Sequence, residues 1–496
     1  MLVICLPVIR GESVAHYVSK VLAVAALAGG LTFGAPPRAQ AQGFDIETGV
    51  EAISSPNTLI RGLQRLYVGR RVSDRLSFGQ GIYTAALGDA GGAFFWGFEG
   101  VARVPLSDRI GLSFSGFLGG GGGAGQINGD GLMLRASAAL DYRLSRAWDL
   151  QLTASWIRIT GAPIDGPALG LGVRYRLGDT RDAAGEPRGL EFDALSFYAS
   201  QIAPASGSRM RSGAAQTPIT LIGARAIYDI NPRTRLSFSA AGAGRGAQGY
   251  MQIMAEARRQ YSTRLLTFFV EGGAGFGGGG DVDTGAGLIL SAVAGVSMQM
   301  TPRYDVELSF GAIGAANGSF RGTALSLGLV RAFNRQGRPV QADGTGQRWA
   351  FSAGFSAQQV GANYFMAPGN LANLVVMQES SIDYFVGRRF YVTGTAQTTM
   401  AGGVAGYAIG SLGAGYEFPL SDRWSLSLEG HIGVAGGGGV NTAGGFVGAL
   451  RAELDYQVAP SWRLSLGVGQ MRTLRGGGMQ PATLTFGIKI PFTTHL

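Results

Sequence analysis

The sequence predicts an all-β chain that crosses a membrane as an antiparallel up-and-down β-barrel, about 24 strands drawn from three eight-strand repeats. Three observations predict it. One long stretch recurs along the chain, its residues alternate with period two, and its connections alternate between short and long.

The recurrence is plainest between two copies. Pro105 opens PLSDRIGLSFSGFLGGGGGAGQINGDGL, and that copy continues through LDYRLSRAW to Trp148. Pro419 opens PLSDRWSLSLEGHIGVAGGGGVNTAGGF, and that copy continues through LDYQVAPSW to Trp462. Both ends are displaced by 314 positions (419 − 105 and 462 − 148). A degenerate copy lies between them, reading STRLLTFFVEGGAGFGGGGDVDTGAGL from Ser262. All three end alike, in LGLGVRYRL, LSLGLVRAF and LTFGIKIPF; their Gly172, Gly328 and Gly487 are spaced 156 and 159 apart. Such a period is too long for a solenoid unit, so each copy is a multi-strand module. The expected divisions are residues 1–41, a signal peptide; 42–189, the first repeat; 190–347, the second; and 348–496, the third.

Within a copy, successive side chains fall on opposite faces. Leu484, Phe486, Ile488, Ile490 and Phe492 share one face, and Thr485, Gly487, Lys489 and Pro491 share the other. From Leu132 to Leu144 one face is Leu, Leu, Ala, Ala, Leu, Tyr, Leu; the other carries Arg135, Ser137, Asp141 and Arg143. This is strand periodicity. A wall with lipid outside and water inside needs it, although a half-buried soluble sheet alternates too. In the first copy the strands are expected near 44–53, 62–70, 75–85, 91–104, 109–118, 130–143, 148–159 and 168–177. One continuous wall is the first expectation. Three tandem eight-stranded barrels are the alternative, since eight strands can close alone. A soluble secreted β-repeat protein ranks third.

Short connections such as 105–108, 144–146, 301–303 and 459–461 are rich in Pro, Asp and Ser, the residues of tight turns. Long ones, 119–129, 277–285 and 436–445, are glycine-rich. Outer-membrane barrels show this asymmetry, with short periplasmic turns and longer external loops. The junctions 178–189 and 334–347 are long where a short turn is expected, as linkers between barrels would be. Trp148, Trp424 and Trp462 follow short turns and Trp349 follows a junction, positions suited to an aromatic girdle at the membrane interface.

Residues 1–41 read as a secretory leader. Arg10 and Lys20 are basic, Val21–Phe33 is apolar, and Ala39-Gln40-Ala41 is a small-residue cleavage site. The only cysteine, Cys5, lies in it, so the mature chain would have no disulfide framework. Beyond it no apolar run reaches the ~18 residues of a helical span. Glycine is 83 of 496 residues and only 15% are charged, yet 46% are hydrophobic, enough to build a buried face. Net charge is +9, and lysine occurs only at Lys20 and Lys489.

Thr485-x-Gly487-x-x-Ile490-x-Phe492 resembles the terminal-strand signal of Gram-negative outer-membrane β-barrel proteins, a broad class. The departures are Pro491 inside the signal and the four residues after Phe492. The resemblance marks Gly487, Ile490 and Phe492 as an assembly signal. It implies the outer membrane of a Gram-negative bacterium, with outer-membrane lipid and the barrel-assembly machinery as partners.

Catalysis is not expected. Histidine occurs only as His16, His431 and His495, and His431 alone sits in a strand pattern, where a Ser–His hydrolase would need one well-placed histidine. HExxH and CxxC metal patterns are missing from the sequence. The glycine runs carry no lysine and open no helix, so they are not phosphate loops. Gly280-Asp281-Val282-Asp283 hints at a calcium loop, but two aspartates do not make a cage of six oxygens, and a solvated loop is expected. No cofactor, metal or nucleic acid is expected.

Arg135, Arg143, Arg174, Arg176 and Lys489 lie on polar strand faces and would charge a lumen positively. Asp141, Glu453 and Asp455 share such faces and could pair with them. The expected activity is therefore a channel or export pore for anionic solutes or polymers, obstructed by its glycine-rich loops or by a periplasmic export partner. A structural or adhesive surface protein anchored by the barrel is the alternative.

Overall fold

In a computed structural model the chain is described over residues 43–55, 58–125, 127–177, 192–335, 338–339, 347–367, 369–459 and 462–494. The segment expected to be a leader, most of both junctions and His495 lie outside these residues. The first barrel comprises β1 (Phe44–Ile53), β2 (Ile60–Ser73), β3 (Leu76–Gly88), β4 (Phe94–Pro105), β5 (Ile110–Gly122), β6 (Met133–Arg143), β7 (Trp148–Ile159) and β8 (Ile164–Leu177). The second comprises β9 (Ala194–Pro204), β10 (Ile219–Asn231), β11 (Thr234–Arg245), β12 (Met251–Ser262), β13 (Leu266–Gly278), β14 (Leu288–Gln299), β15 (Tyr304–Ala315) and β16 (Arg321–Ala332). A two-residue pair, β17 (Asn334–Arg335) and β18 (Arg338–Pro339), precedes the third barrel. That barrel comprises β19 (Gln347–Gln359), β20 (Leu374–Phe385), β21 (Phe390–Ala401), β22 (Ala408–Pro419), β23 (Trp424–Gly436), β24 (Phe446–Ala459), β25 (Trp462–Thr473) and β26 (Ala482–Thr494).

Each set of eight closes on itself. β1 pairs with β8 from Phe44↔Leu177 to Ile53↔Ala168, β9 pairs with β16, and β19 pairs with β26. The single continuous wall placed first by the sequence reading is thus not the one formed; the three-barrel arrangement is. Lumen chemistry gives the reason. Arg135 on β6 reaches Glu51 on β1, and Arg103 on β4 reaches Asp45 on β1 at 3.0 Å. Pairs like these span an eight-strand lumen, which side chains can fill, but would be left apart and uncompensated in a wide one.

The short turns share one local device. Ser107, Ser145 and Ser421 accept, through Oγ, the backbone N–H three residues on, at 3.1, 3.1 and 3.2 Å. Thr263 and Thr301 do the same at 3.1 and 3.0 Å. The hydroxyl satisfies a donor that the turn leaves free of the ladder.

Outward faces are apolar. Leu152, Leu171, Phe238, Val270, Leu327, Ile432 and Leu450 all stand clear of other protein, Leu450 at 73% exposure. Surfaces this apolar belong in lipid, and closed barrels leave no strand edge unpaired there. Pro491 fits for the same reason. The ladder to β25 ends at Lys489, so Pro491 faces only Ala350 of β19.

The three barrels meet one another in a cycle. β5 of the first lies on β21 of the third, β23 of the third on β11 of the second, and β13 of the second on β3 of the first. In each case the fifth strand of one barrel meets the third strand of the next. At the loop ends the contact is backbone against backbone. A Cβ on Gly122 would come 2.4 Å from Gly406 N, one on Gly278 2.5 Å from Gly92 N, and one on Gly436 2.4 Å from Gly249 N. Only glycine allows this approach. Gly91 N–H donates to Gly285 at 2.7 Å, Gly406 N–H to Gly121 at 2.8 Å, and the Asp130 carboxylate accepts from Gly402 and Gly403.

Candidate functional site

The polar strand faces enclose three lumens, each shut by its own residues. At the long-loop end the seal is apolar. Ile127, Val282 and Val440, one from each long loop after a fifth strand, are buried among inward aliphatic and aromatic side chains. Phe95, Phe117 and Ile157 complete the seal in the first barrel, Tyr250, Ile289 and Phe320 in the second, and Tyr364, Tyr407 and Met479 in the third.

Beneath each seal lies an ionic layer. In the first barrel Arg65 bridges Glu47 and Glu99 at 2.9 and 2.8 Å, and Arg135 joins Glu51 and lies 3.6 Å from Glu99. Arg174 and Arg176 both hold Asp149, the latter at 2.6 Å. In the second, Arg258 bridges Glu271 and Glu307 at 2.8 and 2.6 Å beneath the Phe269 ring. In the third, Arg451 bridges Glu379 and Glu429, while Lys489 holds Glu453 and Asp455.

Of the residues expected to make a cationic wall, Arg135, Arg174, Arg176 and Lys489 are buried in lumens but committed to carboxylates. Arg143 lies exposed at the end of β6, beside a short turn. The free positive lining does not form, because burying an unpaired guanidinium costs more than the matching acids do. In the third lumen acids outnumber bases: Glu379, Asp383, Glu429, Glu453 and Asp455 are buried with Arg451 and Lys489. Sequence reading named Glu453 and Asp455 but passed over Arg451, although Arg451, Glu453 and Asp455 share one face at spacing two. Arg65 and Glu99 were harder to see, since Leu63, Tyr67, Phe95 and Val101 share their faces and blur the alternation.

His431 lines the third lumen, its Nε2 3.0 Å from Glu429, which also accepts from Tyr391 at 2.6 Å. Asp281 and Asp283 act as loop braces. Asp281 accepts from the Ser212 backbone and hydroxyl, and Asp283 from the backbone N–H groups of Ser319 and Gly285. Trp148 and Trp424 stand half-exposed beside Tyr175 and Tyr456. Trp462 opens β25, partly buried. Trp349 differs from the lipid-facing girdle expected: only 4% exposed, it is packed under Phe333 and Tyr384, with Phe492 stacked at 6.3 Å. The chain leaving the second barrel covers it. Gly487 faces the lumen, while Ile490 and Phe492 lie on the outer face of β26.

No family model matches this chain, and no curated protein does. Some solved structures are distantly similar to it. The ferripyoverdine receptor of the outer membrane of Pseudomonas aeruginosa is 10% identical over 92% of this chain and 72% of its own, with a TM-score of 0.30. The P. aeruginosa protein OccK11 (OpdR) is 11% identical over 91% and 96%, with a TM-score of 0.22. A designed transmembrane β-barrel is 11% identical over 30% and 96%, with a TM-score of 0.21. Likeness this distant says nothing of what the chain carries or binds. The chain's own closed walls, apolar belts and loop asymmetry make it a barrel of the outer-membrane type.

Proposed function

We propose that this protein is an integral scaffold of the outer membrane of a Gram-negative bacterium, holding a joined platform of glycine-rich loops above three sealed barrels. The observation that carries this reading is the double closure of every lumen, apolar above and ionic below. An eight-stranded wall has little room beyond its own side chains, so moving a loop aside would still leave the ion pairs in the way. The terminal strand β26 is the segment offered to the barrel-assembly machinery, and lipid is the partner of the outer faces. Planar-bilayer recording of the purified, folded protein tests the reading. A silent membrane is expected. Steady conductance steps that survive full folding would overturn it.

A transport role is the second reading, favoured by the ionic rather than aliphatic lining of the lumens. It would take passage of anionic solutes or polymers through a rearranged lumen, with a periplasmic export partner supplying the rearrangement. Conductance appearing only on addition of such a partner would select it.

A further inference from the structure

The third barrel holds an internal space lined by polar side chains. A cavity of about 30 Å³ lies among β19, β21, β23, β24 and β26, lined by Ser356, Thr395, Gln397, His431, Arg451 and Thr485. One water needs about 10–15 Å³ of such space, so the cavity can hold an ion together with a water. Its lining is unusual chemically. Ser356, Thr395, Gln397, His431 and Thr485 are each more than nine-tenths buried. Yet Ser356 Oγ, Thr395 Oγ1, Gln397 Oε1, Thr485 Oγ1 and His431 Nδ1 have no hydrogen-bond partner within the protein. Buried polar atoms left unpaired cost about 1–3 kcal/mol each, so a cluster of them around one void points to a guest.

The committed atoms say which guest. Gln397 Nε2 donates to Glu379 at 2.7 Å, which leaves its Oε1 as the free acceptor. Arg451 is shared by Glu379 and Glu429, so this trio carries one negative charge in excess. Asp383, Glu453 and Asp455 lie in the same lumen with Lys489, and Arg463, opposite Lys489, is taken up by Glu417. An anion would meet an acidic lumen and an amide oxygen. A cation would meet four uncommitted oxygens, while the Arg451 guanidinium that also lines the space is held by Glu379 and Glu429. Those oxygens are neutral, and among the described residues no cluster of three His, Cys, Asp or Glu is arranged for a metal. Hard cations take oxygen ligands. Neutral oxygens with one surplus charge behind them suit a single-charged ion.

We propose that the third barrel binds a small monovalent cation, sodium in size and charge, inside its lumen through Ser356, Thr395, Gln397 and Thr485. The site is independent of whether any barrel conducts. At the place of Ser356 the first barrel carries Glu51, paired with Arg135, and the second carries Ser200, hydrogen-bonded to Ser326 at 2.9 Å, so the proposal assigns its ion to the third barrel.

The test uses the full chain folded in detergent and sodium-23 NMR, with choline replacing sodium at constant ionic strength. Excess sodium line width is expected for the unaltered protein, displaced by added potassium. Thr395→Val with Thr485→Val removes two oxygens at nearly constant shape and should reduce the excess at least five-fold. Ser326→Ala in the second barrel should leave it unchanged. Heat-modifiable gel mobility checks folding, and Ser356→Ala serves if the double variant fails to fold. No excess in the unaltered protein, which would mean a cavity holding only water, overturns the proposal. So does an undiminished excess in the folded variants.

Discussion

Gly436→Ala is a perturbation whose outcome rests on geometry alone. Gly436 is not in the left-handed region, so alanine there carries no backbone strain. Its new Cβ would lie 2.4 Å from Gly249 N and 2.8 Å from Gly249 Cα, backbone atoms of the neighbouring barrel. Ordinary contact begins near 3.4 Å, so the second and third barrels must part by roughly 1 Å at this point. Overpacking of this kind costs about 1–3 kcal/mol. Gly116→Ala is the matched control. It occupies the same outer face of β5, six residues before the corresponding Gly122, and a Cβ there meets nothing within 4 Å. That change should be neutral or stabilise by up to ~1 kcal/mol through the unfolded chain. Denaturant unfolding in detergent reads the energies. Spin labels at Ala316→Cys and Gln480→Cys, both exposed, read the separation of the barrels; the sequence has one other cysteine, Cys5, to be replaced by Ser. A lower midpoint and a longer, broader distance distribution are expected for Gly436→Ala only. Indistinguishable behaviour of the two variants would refute the close approach as a determinant of the assembly.

Three further outcomes follow from named contacts. Arg451→Met strands Glu379 and Glu429 and should cost about 3–5 kcal/mol, whereas Arg158→Ala, whose pair with Asp165 is largely exposed, should change stability by less than ~1 kcal/mol in the same unfolding assay. Leu152→Arg puts a charge on the outer face of β7 and should destabilise the folded protein in lipid by up to about 2–4 kcal/mol, read by denaturant unfolding from vesicles. For Asp283, in the loop after β13, burial raises the carboxyl pKa, but the N–H donors of Ser319 and Gly285 outweigh it and hold the carboxyl below its usual range. Its folded pKa is depressed, so its contribution is present above the unfolded value near 4 and lost as pH falls through the folded one. Asp283→Asn should therefore flatten the acid limb of loop protection measured by hydrogen exchange between about pH 5 and pH 2, and an unchanged limb would count against the brace.

Much of the fold could be read in the sequence because its signals are local. Period two set the strands: 44–53 and 148–159 were placed to the residue, and 168–177 missed only the start of β8 at Ile164. The shared endings around Gly172, Gly328 and Gly487, 156 and 159 residues apart, mark three equivalent sets. Closure was not legible. A strand's alternation says which face is wet, but not whether β8 pairs with β1 or with β9, and both pairings satisfy the same pattern. Only the long junctions carried that information. The lumens were half legible for a similar reason. Arg135 and Glu51 each sit correctly on an inward face, yet they are 84 residues apart, and nothing in either strand announces the other. The cavity in the third barrel had no signal at all, since Ser356, Thr395 and Thr485 look like ordinary polar-face residues one strand at a time.

The cyclic contact between barrels has a further consequence for how many molecules can join. Each barrel offers one donor edge, the end of its fifth strand, and one acceptor edge, the hairpin after its third. Head-to-tail edges of this kind make filaments unless the turn closes. Here three barrels on one chain use all their edges, so the molecule has zero free valence in the plane of the membrane. Opening a single joint, the one that Gly436→Ala loosens, would release one donor and one acceptor at once. The same change that loosens one molecule would thus convert it into a divalent unit, able to link to its neighbours in rows or to exchange barrels with them.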